Sequence, residues 1–125
     1  MIYGTGIDIV KTERIRDAVE RWGEKFLERV FTGDEIAYAY KMNDPFLSLS
    51  VRFAAKEAFI KAFSHDQHIS LTDIEVRNQE NGRPVLELHG KTGEFLKQKA
   101  IQAIHLSLSH EKDYGVACVV IEGKR

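Results

Sequence analysis

A single cysteine in 125 residues excludes an internal disulfide and a thiolate metal cage. That residue, Cys118, lies in the run Val116-Ala117-Cys118-Val119-Val120-Ile121 and reads as a small buried hydrophobe. An excess of one charge is also missing. The chain has 18 Lys+Arg against 19 Asp+Glu, a net charge of −1, which gives no bulk attraction to nucleic acid or to an anionic membrane. No apolar run is long enough to span a bilayer, and the first residues resemble a strand rather than a signal peptide, so a cytoplasmic protein is expected. No repeat, low-complexity tract or linker divides the chain, and one domain over 1–125 with a real core is expected.

What is present has clear punctuation. Ile2 to Val10 alternates as a strand, with Tyr3, Thr5, Ile7 and Ile9 on one side and Gly4, Gly6 and Asp8 on the other. Thr12 is placed to cap a helix through Ile15, Val19 and Trp22, and a second short helix carries Phe26, Leu27 and Val30. Thr32-Gly33-Asp34-Glu35 fits a capping box and starts a third helix, which Asn43-Asp44-Pro45 breaks. A long helix follows from about Leu47 to Phe63. Ile69–Arg77 and Arg83–Leu88 read as a hairpin turning at Gly82, Thr92 to about Gln102 as a fifth helix, and Ile104–Ser109 and Tyr114–Ile121 as final strands. The order lacks the regular alternation of a doubly wound sheet. It predicts an α+β fold, a mostly antiparallel sheet packed on a long central helix.

The long helix holds the first anomaly. Its apolar residues occupy 51, 53–55, 58–60, 62 and 63, leaving Glu57 and Lys61 on a narrow polar stripe between Phe53 and Ala54. An i,i+4 Glu–Lys pair is worth a few tenths of a kcal/mol on an exposed helix, about too little to offset an apolar surround. A carboxylate and an ammonium on one face suit a metal ion beside a phosphate. The second anomaly is Asp8, in the strand Ile7-Asp8-Ile9-Val10 and on the face where Gly4 and Gly6 leave room for a ligand or another backbone. Asp8 fits either a salt bridge or cap, or a Mg²⁺ site shared with Glu57, since two carboxylates are the usual protein share of such a site. The loop His65-Asp66-Gln67-His68 has three ligand types but no defined fourth, and reads as a surface loop rather than a zinc site. Ser107, Ser109 and His105 read as the solvated side of an edge strand.

Gly4-Thr5-Gly6-Ile7-Asp8-Ile9-Val10 and Arg52-Phe53-Ala54-Ala55-Lys56-Glu57-Ala58, with Lys61-Ala62-Phe63, closely resemble the two signatures of the holo-acyl-carrier-protein synthases. These are the small bacterial type of 4′-phosphopantetheinyl transferase. The resemblance extends to Asn81-Gly82-Arg83-Pro84 and to Leu106-Ser107-Leu108-Ser109-His110 with Tyr114, and so covers essentially the whole chain. One departure stands out. The family commonly follows its helix with Gly-Thr-Gly, where this chain has Ser64-His65-Asp66-Gln67-His68.

The resemblance implies transfer of the 4′-phosphopantetheine arm from coenzyme A to a serine of apo-acyl carrier protein, for fatty acid biosynthesis, leaving adenosine 3′,5′-bisphosphate. It implies Mg²⁺ on Asp8 and Glu57, with Mn²⁺ as a substitute, Lys61 on the pyrophosphate, and Arg52 and His110 near the nucleotide. The serine proton goes to Glu57 or to a water on the metal, and the residues do not choose. Acidic carrier protein would dock on a basic first helix through Arg14 and Arg21, seven residues apart, with Lys25 a turn further. A homotrimer with active sites between subunits is also implied, and the apolar surround of the Glu57 helix gives a motive for it. The competing readings are a non-catalytic binder of coenzyme A or carrier protein, and a scaffold in which Glu57 and Lys61 pair across an interface.

Overall fold

A computed structural model describes residues 1–124. The chain runs β1 (Ile2–Lys11), α1 (Thr12–Trp22), α2 (Glu24–Val30), α3 (Gly33–Tyr40), α4 (Pro45–Phe63), β2 (Ile74–Asn78), β3 (Pro84–Leu88), α5 (Gly90–Gln98), β4 (Ile101–Glu111) and β5 (Tyr114–Gly123). An antiparallel sheet of order β1-β5-β4 packs its inner face on α4, and β2 and β3 form a separate antiparallel hairpin. The α+β expectation of an antiparallel sheet on a long central helix is met.

The two glycines of β1 set how the helix sits. A Cβ on Gly4 would lie 1.9 Å from the Ala62 carbonyl oxygen, and one on Gly6 1.9 Å from that of Ala58. The space they leave is therefore filled by the α4 backbone, and small residues on both sides let strand and helix meet at close range. The same face of β1 carries Asp8 towards α4. Around this contact Leu49, Ala54, Ala55, Phe59 and Phe63 of α4 pack with Val10, Ala117, Val119 and Ile121. Each large side chain buried there contributes about 1.5–3 kcal/mol.

Several boundaries move for physical reasons. Helix α4 starts at Pro45 rather than Leu47, because Asp44 caps it by accepting from Phe46 N at 3.0 Å and Leu47 N at 3.3 Å. Thr12 does not cap α1; it is the first helical residue, and its hydroxyl faces Ser50 Oγ at 3.3 Å. Residues 71–73 form a single 3₁₀ turn, so the strand predicted from Ile69 begins at Ile74. Helix α5 ends at Gln98, short of the expected Gln102.

Cys118 is a correction. Strand β5 buries Ala117, Val119 and Ile121 and turns Cys118 to the outer face, where it is exposed. The apolar run is two-sided, so period-2 reading of Val116–Ile121 could not tell which face is covered.

Candidate active site

Three of the predicted residues meet between β1 and α4. Lys61 Nζ donates to Asp8 Oδ1 at 3.0 Å and to the Ile7 carbonyl at 3.0 Å. The Asp8 side chain is 18% exposed and that of Lys61 54%. Glu57, one turn before Lys61, is half-buried. Burial raises its carboxyl above the ordinary value of 4.5, the Asp8 charge raises it further, and Lys61 and Arg14 oppose the rise. Asp8 and Glu57 are thus close enough to repel, and a cation between them would relieve that repulsion. This is the fit expected of a carboxylate pair that holds a divalent metal.

The helix hides different charges from those anticipated. Lys61 is exposed and Glu57 half-buried; the charged residues buried on α4 are Arg52 and Lys56. Lys56 lies on the stripe of Leu49, Arg52, Phe59 and Phe63, the deepest line of the helix. Its Nζ pairs with Glu35 Oε1 at 2.8 Å and donates to the carbonyls of Leu71, at 2.9 Å, and Ile74. Glu35 closes the capping box with Thr32 and accepts from Val76 N at 2.9 Å. One buried ion pair therefore ties α4, α3 and β2 together. Reading of the sequence missed it, although the position of Lys56 on that stripe was there to see.

Arg52 and His110 do come together, but away from the Asp8 patch. They line a cavity of about 580 Å³ with Tyr38, Asn78, Pro84 and Leu108. Arg52 is 5% exposed. It donates to Ser48 Oγ at 3.1 Å and Asn78 Oδ1 at 2.8 Å, and stacks over the Tyr38 ring at 4.2 Å, while its Nε has no partner. Burial lowers its pKa, against the charge of Glu35. Arg52 and Glu57 are five residues apart on a helix, so they point about 140° apart. A second cavity of about 370 Å³ opens beside Glu57, lined by Ile60, His65, Gln67, Ile69 and Leu71 among others.

The basic first helix is also redrawn. Gly23, at φ +59°, separates α1 from α2, so Lys25 belongs to α2 and not to a further turn of α1. Arg21 lies over the exposed Trp22 ring at 5.1 Å. Arg14 is close enough for its charge to act on Glu57. As read, Ser107, Ser109 and His105 are exposed on the edge strand β4, with His105 Nε2 2.6 Å from Glu122 Oε2. Among the described residues, Glu75, Glu87 and His89 bring three metal-ligand side chains together elsewhere, on the β2–β3 hairpin and just after it. There the Arg77 guanidinium bonds both Glu75, at 3.4 Å, and Glu87, at 3.3 Å, and supplies the positive charge itself.

The model of the 4′-phosphopantetheinyl transferase superfamily matches residues 4–119. The chain belongs to that superfamily. It is 46% identical to the holo-[acyl-carrier-protein] synthase of Halothermothrix orenii, with 98% of each chain covered. The crystal structure of the synthase from Neisseria meningitidis superimposes with a TM-score of 0.90 at 34% identity, over 98% of this chain and 99% of that one. A synthase from Bacillus anthracis, solved in complex with CoA (3′,5′-ADP), gives 0.80 at 36% identity over 99% of both. Full-length likeness of this kind makes the chain a phosphopantetheinyl transferase of the holo-acyl-carrier-protein synthase type, an enzyme rather than a scaffold.

Proposed function

We propose that this transferase moves the 4′-phosphopantetheine arm from coenzyme A to a serine hydroxyl of apo-acyl carrier protein, in the cytoplasm and for fatty acid biosynthesis. The serine oxygen forms a bond to the phosphorus bearing the arm, the bond from that phosphorus to the bridging oxygen breaks, and adenosine 3′,5′-bisphosphate leaves. The observation that carries the reading is that Lys61 bonds Asp8 while the Asp8 charge acts on the Glu57 carboxyl. Those carboxylates would hold Mg²⁺, or Mn²⁺ in its place, and the ion would neutralise charge on the pyrophosphate oxygens. Lys61, exposed at the mouth, can swing its ammonium from Asp8 to a phosphate oxygen as a point charge. The serine proton would pass to Glu57 or to a water held by the metal.

The separation of Asp8 and Glu57 from the Arg52–His110 cavity favours a site completed by a neighbour. The outer face of the β1-β5-β4 sheet presents Ile7, 64% exposed, and Ile9, 61% exposed, next to Cys118. In our reading three copies close on these faces, and the Arg52–His110 cavity of one subunit receives the nucleotide whose pyrophosphate lies on the Asp8–Glu57 pair of the next. The motive first read into the Glu57 helix does not stand, since α4 is covered within its own chain; the uncovered surface is the sheet. Arg21 and Lys25 remain our docking residues for an acidic carrier protein, with Arg14 between that face and the metal pair.

The test is to incubate the protein with coenzyme A, Mg²⁺ and an apo carrier protein, then weigh the carrier. A gain equal to one phosphopantetheine arm supports the reading. An unchanged mass with active control enzyme present would refute it.

A further inference from the structure

The turn that follows α4 is built unlike a flexible glycine turn. Ser64 adopts φ +48°, ψ +41° and its Oγ donates to the Lys61 carbonyl at 2.7 Å, which closes the helix. His65 then folds back into the protein, its side chain only 5% exposed. Its ring stacks on Phe63, with centroids 5.0 Å apart and planes 11° apart, and on Phe95 of α5 at 4.2 Å and 17°. Nδ1 accepts from Gln67 N at 3.1 Å, so the imidazole also fixes the backbone two residues on. The expected surface loop is thus anchored at its first histidine.

This anchored turn is one wall of the cavity beside Glu57, with His65, Gln67 and His68 facing Ile60, Ile69 and Leu71. A lining of aliphatic side chains with a few polar groups suits a chain of methylenes and amides. That is the chemistry of the arm attached to the reacting phosphorus.

We propose that His65 is a positioning residue: clamped between Phe63 and Phe95, it holds the 64–69 turn as a fixed wall against which the coenzyme A arm lies beside Glu57. The proposal rests on the transferase reading above. An aromatic clamp does for this turn what short-range flexibility cannot, since a wall already in place leaves less ordering to be done on binding.

The test measures carrier loading against coenzyme A concentration for the wild type, His65→Ala and His65→Phe, with melting temperatures alongside. His65→Ala should raise KM for coenzyme A about tenfold, with kcat and KM for the carrier within about twofold. His65→Phe keeps both stacks and should return KM to within about twofold of the wild type. An unchanged KM in His65→Ala, or no rescue by Phe, would overturn the proposal. So would a fall in kcat that simply tracks a fall in melting temperature. If the wild type loads no carrier, the transferase reading fails; calorimetric titration of coenzyme A into the same three proteins then decides the clamp by itself.

Discussion

Lys61 and Asp8, 53 residues apart in sequence, form a 3.0 Å ion pair across the β1–α4 contact. The pair is half open to solvent, where such bridges add at most about 1 kcal/mol to stability. Its value lies in what it positions: a lysine at the rim, and a carboxylate whose charge acts on Glu57. Gly4 and Gly6 make this possible by letting α4 sit close against the strand.

Glu57→Gln should abolish transfer and yet leave the apo-protein at least as stable as the wild type. The carboxyl is raised in the folded state by burial and by Asp8. Such a group favours folding fully below its unfolded value of 4.5 and loses that contribution as pH rises through its folded value. At neutral pH its ionised form therefore opposes folding, and glutamine removes the opposition. Activity should fall about a thousandfold or more, several kcal/mol of transition-state stabilisation. EDTA should stop the wild type, and Mn²⁺ should restore part of the rate. Melting curves from pH 5 to 8 and the carrier mass assay check both halves; full activity of Glu57→Gln in EDTA would sink the metal assignment.

The sequence shows unevenly where such groups end up. The phase of β1 was legible from Gly4, Gly6 and Asp8, because a polar residue and two glycines on one side of an apolar strand must have a tertiary reason. The capping box at Thr32–Glu35 was legible because it is local. The burial of Lys56 was legible from its place on the helix, but its pairing was not, since Glu35 sits in another helix and nothing local records it. Cys118 was misplaced because Val116–Ile121 is apolar on both faces, and only the position of α4 decides which face is inward. Arg52 and His110 could be named from the resemblance, but their distance from Glu57 is a property of the packed helix.

Replacing either member of the buried pair Lys56–Glu35 should be severe. Lys56→Met leaves the Glu35 carboxylate among buried groups without its cation, a loss of about 3–5 kcal/mol. Against a total of about 5–15 kcal/mol this lowers Tm by roughly 10 °C or more. The double variant Lys56→Met with Glu35→Leu removes both charges and should recover much of the loss. Urea titration of the two single variants and the double variant reads the coupling directly.

Arg21→Glu and Arg14→Glu should separate two roles that one basic helix suggested. Reversing Arg21, about two turns along α1 from Arg14, should raise KM for carrier protein about tenfold at low salt and leave KM for coenzyme A unchanged. The defect should shrink as salt is added, because exposed charges are screened. Arg14→Glu should in addition lower kcat, since the Arg14 charge helps hold Glu57 ionised. Steady-state kinetics with each substrate varied in turn makes the comparison. Equal damage to coenzyme A binding in Arg21→Glu would move α1 to the nucleotide site.

Assembly supplies the last prediction. Ile7 pairs with Cys118 and Ile9 with Val116 in the β1–β5 register, so these side chains form a continuous apolar patch on the outer sheet face. Two isoleucines more than 60% exposed on adjacent rungs are a poor surface for a free monomer. If three copies bury this face, the protein sediments as a trimer at micromolar concentration and Cys118 reacts slowly with a thiol reagent while native. Ile7→Glu should then give a folded monomer in which Cys118 is labelled quickly, because the change lies off the core. That monomer should have lost nearly all transfer activity, since its Asp8–Glu57 pair no longer faces a neighbour's Arg52 and His110. A wild-type monomer with full activity would show instead that one chain holds the whole site, with coenzyme A spanning from Glu57 to Arg52 around α4.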